Sequence, residues 1–297
     1  MQTQHDHLPP RLLWILAGLT VAWGLNWTAM KVALAEVSPW TFRTLCLGAG
    51  SGVLFAVLRA SGQPLRVPRG QWGRLVLLAL FNITSWNMLV AYGVSMIPSG
   101  RAAILAYTMP VWSIPLAVLV LGEEVTARRA AGLAMGMAGI ALLLIEDFAT
   151  LRAAPLGTLL VLCAAFTWGL GTVLQKRYPV AMPLGAYTAW IMLIGGMPIF
   201  VGAALLDLGR PIPDVTLQAA LGVLYNVFIA FAWAHWAWLK LATTLPVSVF
   251  SISMLVIPAV GVISGMLFLG ERPSWQEFAA LALVIASLLS VAAPRRS

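Results

Sequence analysis

Asparagine, threonine and tryptophan recur inside the apolar stretches of this chain, and together these side chains can bind a small solute through hydrogen bonds and flat apolar contact. In the first stretch, Trp23, Asn26 and Trp27 fall on one broad face at the helical period. An amide in an apolar stretch is costly unless it is hydrogen-bonded or faces water, so Asn26 should point into a bundle. We predict a cavity wall here; interhelical packing with Asn26 as a polar contact is the alternative.

The same residue types recur in later stretches and suggest further parts of that wall. Asparagine and tryptophan share a face in the third and eighth stretches, tryptophan and threonine share one in the sixth, and hydroxyl groups line the fourth and ninth. Structural hydrogen bonds between helices and lipid-facing positions are the alternatives. The predicted cavity residues in these stretches are Asn82, Trp86, Tyr107, Trp168, Thr172, Tyr225, Asn226, Trp233 and Ser251.

Groups that catalyse reactions or bind metals are missing from the interior of the apolar stretches. All ten acidic residues lie at or near the ends of these stretches, and the sequence has no HExxH motif. Cys46 and Cys163 are interpreted as small buried hydrophobes. We expect no enzymatic activity, no metal and no cofactor. His235, the one histidine in an apolar stretch, has the chemistry for a proton relay, and a neutral hydrogen-bonding role is the alternative.

Composition indicates the elements that must position these residues. Of the 297 residues, 61% are hydrophobic and only 9% are charged, against about 25% charged in soluble domains. A spanning helix needs about 20 mainly apolar residues, so ten spans account for nearly the whole chain. We predict an all-α membrane protein with helices at 11–35, 39–59, 72–95, 98–121, 127–146, 155–177, 182–206, 216–240, 245–269 and 276–293.

The basic residues predict the orientation of these helices. With the N-terminus inside, twelve of the eighteen lysines and arginines lie on the cytoplasmic side. We therefore expect both termini in the cytoplasm of a bacterium, a multi-pass protein in its inner membrane, and residues 1–10 as a cytoplasmic tail. The net charge of +8 is explained by these clusters at helix ends, so no nucleic-acid partner is expected.

An internal repeat relates the two halves of the chain at a nearly constant offset of 144 to 148 residues. We predict a first five-helix repeat at 11–146 and a second at 155–293, around a central cavity. Because each repeat has an odd number of helices, the second enters the membrane from the opposite side, as in many alternating-access carriers. The matching positions are Trp-Gly-Leu at 23–25 and 168–170, Lys31 and Lys176, Asn82 and Asn226, Pro110 and Pro258, and Leu-Gly-Glu at 121–123 and 269–271.

Proline inside the fourth and ninth helices predicts a pair of kinks. Proline removes a backbone hydrogen bond, and Pro110 and Pro258 occupy matching positions. We interpret both as hinges of a gate; a static bend for packing is the alternative.

Taken together, the Trp-Gly-Leu stretch, the proline of the fourth helix, the Leu-Gly-Glu-Glu after it and their duplicates resemble the drug/metabolite transporter superfamily over essentially the whole chain. Within it, the chain is similar to the ten-helix EamA-type exporters and to bacterial aromatic amino acid exporters. The resemblance implies an inner-membrane secondary transporter that exports amino acids or related small metabolites by alternating access.

The absence of a carboxylate from the middle of any predicted helix bears on the choice of substrate. The four-helix multidrug members of the superfamily use a buried glutamate, and this sequence departs from that pattern. A carrier of zwitterions therefore fits better, and a multidrug or organic-cation exporter coupled to protons is the alternative. The expected partners are a small-molecule substrate and the bilayer. Small-residue stripes in the fifth and tenth helices predict scaffold or dimer surface, so we expect a monomer or a weak homodimer.

Overall fold

The computed structural model describes residues 10–150, 154–207, 209, 214–245 and 254–292. These residues form ten apolar helices, as predicted. Eight helices are long and apolar enough to cross a membrane, and α9 and α10 are shorter apolar helices. The helices are α1 (Pro10–Leu34), α2 (Pro39–Ala60), α3 (Trp72–Ala79, Leu80–Ser85 and Trp86–Met96), α4 (Ser99–Ala106 and Met109–Leu121), α5 (Ala127–Thr150), α6 (Ala154–Arg177), α7 (Leu184–Leu206), α8 (Leu217–Leu224, Tyr225–Trp233 and Ala234–Thr244), α9 (Ile257–Leu269) and α10 (Trp275–Ala292).

Local sequence signals fix where the helices begin and end. The Ser38 hydroxyl accepts a hydrogen bond from the Thr41 backbone N–H, and Pro39 occupies the first turn of α2. Gly122 and Gly270 end α4 and α9 in the left-handed region, with φ of 67° and 65°. Glycine adopts this conformation without steric cost, which explains why the Leu-Gly-Glu sequence ends a helix in both repeats.

Helices α3 and α8 contain π-helical segments that the apolar pattern does not reveal. The segments are Leu80–Ser85 and Tyr225–Trp233, and they occupy matching positions in the two repeats. Each begins close to its asparagine, Asn82 or Asn226. Single π-helical turns inside α-helices occur frequently at functional sites.

The helix contacts follow a pseudo-two-fold symmetry in which each helix of the first repeat is equivalent to the helix five places later in the chain. Three helices pack directly against their equivalents: α2 against α7, α4 against α9, and α5 against α10. The contact of α1 with α9 is repeated by that of α6 with α4, and the contact of α1 with α8 by that of α6 with α3. The fold is therefore two inverted five-helix repeats.

Two glycines show how closely this relation holds. A Cβ at Gly24 would lie 3.2 Å from the Ile257 carbonyl oxygen, and one at Gly169 would lie 3.1 Å from the Met109 carbonyl oxygen. Both contacts join the Trp-Gly-Leu helix of one repeat to the proline-containing helix of the other. Glycine permits this close helix approach, as is typical of helix pairs in membranes.

The outer surface of the bundle is apolar. Leu119, Leu205 and Leu267 are 80%, 78% and 74% exposed, and Trp14 of α1 is 78% exposed. A surface of this kind suits the hydrocarbon interior of a bilayer. The protein is a multi-pass membrane protein.

Candidate functional site

The two matching asparagines lie in the buried centre of the bundle. Asn82 and Asn226 are 6% and 0% exposed. Nδ2 of Asn226 donates to the Gly222 carbonyl oxygen at 2.9 Å, within its own helix. Among the described residues, no hydrogen-bond donor reaches Oδ1 of Asn82, Asn226 or Asn26. These three amide oxygens are therefore buried acceptors without a donor in the described part of the chain, and such an acceptor is costly.

Asn82 lies against α6 at a glycine that the sequence analysis did not single out. A Cβ at Gly171 would lie only 1.6 Å from Asn82 Oδ1, so no other residue fits there without a shift. Gly171 and Asn26 are at equivalent positions of α6 and α1, and Asn82 and Asn226 are equivalent in α3 and α8. These four positions therefore lie on two equivalent pairs of packed helices, here called junctions: α3 packs against α6, and α8 packs against α1.

Aromatic side chains lie at both junctions. The rings of Trp86 in α3 and Trp168 in α6 have centroids 4.9 Å apart. Between α1 and α8, Trp23 Nε1 donates to the Ala230 carbonyl oxygen at 3.2 Å, and the Tyr225 hydroxyl donates to the Ala22 carbonyl oxygen at 2.9 Å. Four of the predicted cavity residues thus lie at the same two helix junctions as the asparagines.

The structure divides the other predicted cavity residues. Trp233 also lies at the junction of α8 with α1, where it packs against Gly18, whereas Trp27 is buried in the interface of α1 and α9, next to Gly261. Thr172 is exposed, and its hydroxyl donates to the Trp168 carbonyl oxygen of its own helix. Ser251 lies outside the described residues.

Helix α4 is interrupted, where the sequence predicted one kinked helix. The first segment ends at Ala106, the second begins at Met109, and Tyr107 lies at the break. Pro110 is the second residue of the second segment, where its missing N–H leaves no hydrogen bond unmade. Pro258 is likewise the second residue of α9. Both prolines thus begin a helical segment, and their hinge role stays a prediction.

One end of the bundle, here called the Lys31 end, carries charged side chains that hold the turn between α3 and α4. Lys31 Nζ donates to the carbonyl oxygens of Val94, Ser95 and Ile97 at 2.9, 3.0 and 2.9 Å. A cation at the carboxyl end of a helix is favoured by the helix dipole. Lys31 therefore ties α1 to the end of α3.

Glu271 holds the other side of the same turn. Its carboxylate accepts from the backbone N–H groups of Ser99 and Gly100 at 2.7 and 3.1 Å, at the start of α4. A cavity of about 520 Å³ opens between these helix ends. Its lining residues are Lys31, Val32, Ala35, Glu36, Met96, Ile97, Pro98, Gln218, Leu269 and Glu271.

The equivalent residues at the opposite end, here called the Lys176 end, are arranged differently. Lys176 and Glu123 form an ion pair with each other, and Arg129 bonds the second oxygen of Glu123 at 2.8 Å. Hydrogen bonds from Lys176 and then Arg129 lower the pKa of Glu123 below its ordinary value. At this end the lysine and the glutamate thus bind each other, whereas Lys31 and Glu271 bind helix ends.

Comparison with known proteins finds one family over both repeats. Residues 11–145 and 155–293 each match the model of the EamA-like transporter family. A probable amino-acid metabolite efflux pump of Escherichia coli is 26% identical over 281 residues, which cover 91% of each chain. The uncharacterized transporter YoaV of Bacillus subtilis is 24% identical over 258 residues, covering 86% of this chain and 88% of that one. A solved crystal structure superposes with a TM-score of 0.64 at 20% identity, covering 94% of this chain and 96% of the other; this likeness shows the fold.

Proposed function

Because this chain belongs to the EamA-like transporter family, we propose that it exports aromatic and other neutral amino acids, with related small metabolites, across the bacterial inner membrane by alternating access. Family and relatives indicate a transporter and not an enzyme. The relatives in Escherichia coli and Salmonella typhimurium are named probable amino-acid metabolite efflux pumps. Both termini are proposed to lie in the cytoplasm, as the distribution of basic residues predicts.

The observation that carries this proposal is the set of unbonded amide oxygens at the same two helix junctions as tryptophan rings. Oxygens of Asn26, Asn82 and Asn226 are acceptors for an ammonium group. The Trp86–Trp168 pair and Trp23 offer flat surfaces for an aromatic ring or an ammonium group. Amide oxygens and aromatic faces carry no net charge, so this part of the site accepts the ammonium group of a zwitterion without a counter-ion.

The two ends of the bundle support alternating access. Equivalent lysines and glutamates bind helix ends at the Lys31 end and each other at the Lys176 end. The equivalent lysine and glutamate are thus bonded differently in the two repeats. This difference fits a carrier in which each end of the bundle adopts the other end's bonding pattern when the carrier changes state. In the opposite state, Lys31 and Glu271 would pair with each other, and the turn between α3 and α4 would be released.

A proton-coupled exporter of organic cations is the second candidate, and His235 is the observation that favours it. Its ring lies between Trp23 and Phe231, with centroid separations of 5.8 and 5.2 Å. Nδ1 lies 2.9 Å from the Phe231 carbonyl oxygen. A titratable group next to aromatic rings could couple a proton to the binding of a flat cation.

Efflux from intact cells tests the proposal. Cells expressing the protein are loaded with labelled L-phenylalanine, and its release is compared with that from cells lacking the protein. We expect faster release, slowed by Trp23→Ala and unaffected by Trp14→Ala, which removes an exposed tryptophan from the same helix. Equal release with and without the protein would contradict amino acid export, and equal release with both variants would contradict the assignment of Trp23.

A further inference from the structure

Arg43 is a buried cation that has no carboxylate partner among the residues that the structure describes. It lies in the second turn of α2 and is 2% exposed. Its Nη2 donates to the Met30 thioether sulfur at 2.8 Å, and its Nε has no hydrogen-bond partner among the described residues. The guanidinium carbon lies 5.2 and 5.7 Å from the ring centroids of Phe42 and Phe231. Arginine stays protonated in proteins, so this site holds a permanent positive charge.

Arg101 is a second buried arginine, and its guanidinium does have a carboxylate partner within the fold. Its Nη1 lies 3.7 Å from Glu277 Oε1, and its Nη2 donates to the Leu143 carbonyl oxygen at 2.5 Å. Within the described part of the chain, no ion pair includes Arg43. The Asp207 carboxylate accepts hydrogen bonds from Ser38 and Thr41 at the start of α2. A charged residue inside a membrane bundle marks a substrate pathway by default.

We infer that Arg43 binds the carboxylate of the transported solute. This inference rests on the proposed function and names the chemical group that the site recognises. A guanidinium offers a planar fork of N–H donors that matches a carboxylate. The sulfur of Met30 is a weak acceptor on a flexible side chain, and it lies within hydrogen-bonding distance of Nη2. A carboxylate oxygen is a far stronger acceptor and displaces it.

The surroundings of Arg43 also indicate what the carboxylate is attached to. Phe231, which covers the guanidinium, stacks near His235, and His235 in turn lies against Trp23. This run of rings leads from Arg43 along the junction of α1 and α8, where Asn226 also lies. A solute with its carboxylate at Arg43 therefore has its apolar or aromatic group beside Phe231, the first ring of this run.

This arrangement makes the carboxylate the group that Arg43 requires, whereas the amino group is recognised separately by the asparagine oxygens. Aromatic carboxylic acids without an amine, such as phenylacetate, are then ligands. Amines without a carboxylate, such as phenylethylamine, are not. An organic-cation exporter would have the opposite preference, because a fixed arginine repels a cation.

Binding of phenylacetate and phenylethylamine to the purified full-length protein in detergent tests the inference. We expect phenylacetate to bind and phenylethylamine not to bind. Arg43→Gln should weaken phenylacetate binding about 10- to 100-fold, the range for a lost hydrogen bond to a charged group. Arg43→Lys should weaken it less. Arg59→Gln, which removes an exposed arginine from the last turn of α2, should leave it unchanged.

Two other results of these binding measurements would contradict the inference. Equal phenylacetate binding by wild type and Arg43→Gln would overturn the role of Arg43, and failure of the wild type to bind phenylacetate would overturn carboxylate recognition. If Arg43→Gln does not fold, the comparison of the two ligands on wild type and Arg43→Lys still decides. Phenylalanine efflux from cells is a separate measurement, so amino acid export can stand or fail independently of Arg43.

Discussion

Asn82 and Asn226 occupy equivalent positions of the two repeats, and each lies in a π-helical segment with its amide oxygen unbonded. The hydrogen-bond shift that creates a π-helical turn widens the helix at that place. One such segment lies in each repeat, at equivalent helix junctions. This repetition argues for a shared functional role, because helix packing alone does not require a π-helical segment in both repeats. That role, in the proposed function, is to bind the solute from both repeats.

Replacement of these asparagines should slow transport more than it lowers stability. Asn82→Ala and Asn226→Ala each remove an acceptor for the solute, and a lost hydrogen bond to a charged group corresponds to about tenfold or more in binding. The measurement is the concentration dependence of phenylalanine efflux together with the melting temperature. Asn87→Ala is the matched control, because Asn87 is buried in the same helix and its Nδ2 donates to the Ile83 carbonyl oxygen. A control that slows transport equally would argue against the site.

Gly24 and Gly48 should respond in opposite ways to an added methyl group. A Cβ at Gly24 would lie 2.3 Å from a methyl carbon of Val260, whereas one at Gly48 would have no neighbour within 4 Å. We expect Gly24→Ala to cost about 1–3 kcal/mol through overpacking. Gly48→Ala should be neutral or stabilising by up to about 1 kcal/mol. Unfolding in detergent, followed by circular dichroism, gives both values; equal stability of the two variants would contradict the close packing of α1 on α9.

The buried ion pair of Arg101 and Glu277 should matter more than the exposed one of Arg129 and Glu123. The side chains of the first pair are 8% and 9% exposed, and those of the second are 35% and 21% exposed. Removal of one partner of a buried pair costs about 3–5 kcal/mol because it leaves a charge without its counterpart. Exposed pairs contribute about 0–1 kcal/mol. Glu277→Gln should therefore destabilise the protein far more than Arg129→Gln in the same unfolding measurement, and similar losses would contradict the burial of the first pair.

Acidification should weaken the Lys176 end through Glu123. Because Lys176 and Arg129 lower the pKa of Glu123 in the folded protein, its stabilising contribution is present above the ordinary glutamate value of 4.5. This contribution is lost as the pH falls through the lower folded value. We expect the melting temperature to fall below about pH 4.5, and less steeply for Glu123→Gln. Glu124→Gln, which replaces the exposed neighbour, should behave like wild type; a flat profile for wild type would argue against the ion pair.

Release of the turn between α3 and α4 should open the Lys31 end. Glu271→Gln removes the negative charge at the start of α4 and weakens its hydrogen bonds to Ser99 and Gly100. A cysteine introduced as Ile97→Cys, at a buried position of the cavity lining, should then react faster with a membrane-impermeant maleimide in intact cells. Arg272→Gln, at the exposed next residue, is the control. Unchanged labelling with Glu271→Gln would contradict a gate at this end.

The helix pattern and the repeat follow from the sequence because each depends on local signals. Apolar stretches of spanning length predict ten helices, and Leu-Gly-Glu predicts where α4 and α9 end. A kink was predicted at Pro110, because proline removes a backbone hydrogen bond from the helix that contains it; the structure has a break just before this residue. These features need no knowledge of which helices touch.

The site is less predictable because it depends on contacts between helices. The α-helical and π-helical periods are too close for an apolar pattern to separate, so both π-helical segments were missed. Trp27 shares a helical face with Trp23 but packs against Gly261 of α9, a contact that no local signal reveals. Arg43 lies near a helix end in the sequence, and only the packing of α1, α2 and α8 shows that it is enclosed.

The most direct test of amino acid transport uses the purified protein in sealed liposomes with labelled L-phenylalanine, with and without a pH gradient. The proposed function predicts faster equilibration than in protein-free liposomes even without a gradient. The contradicting result is no movement of phenylalanine, together with movement of a labelled organic cation driven by the pH gradient.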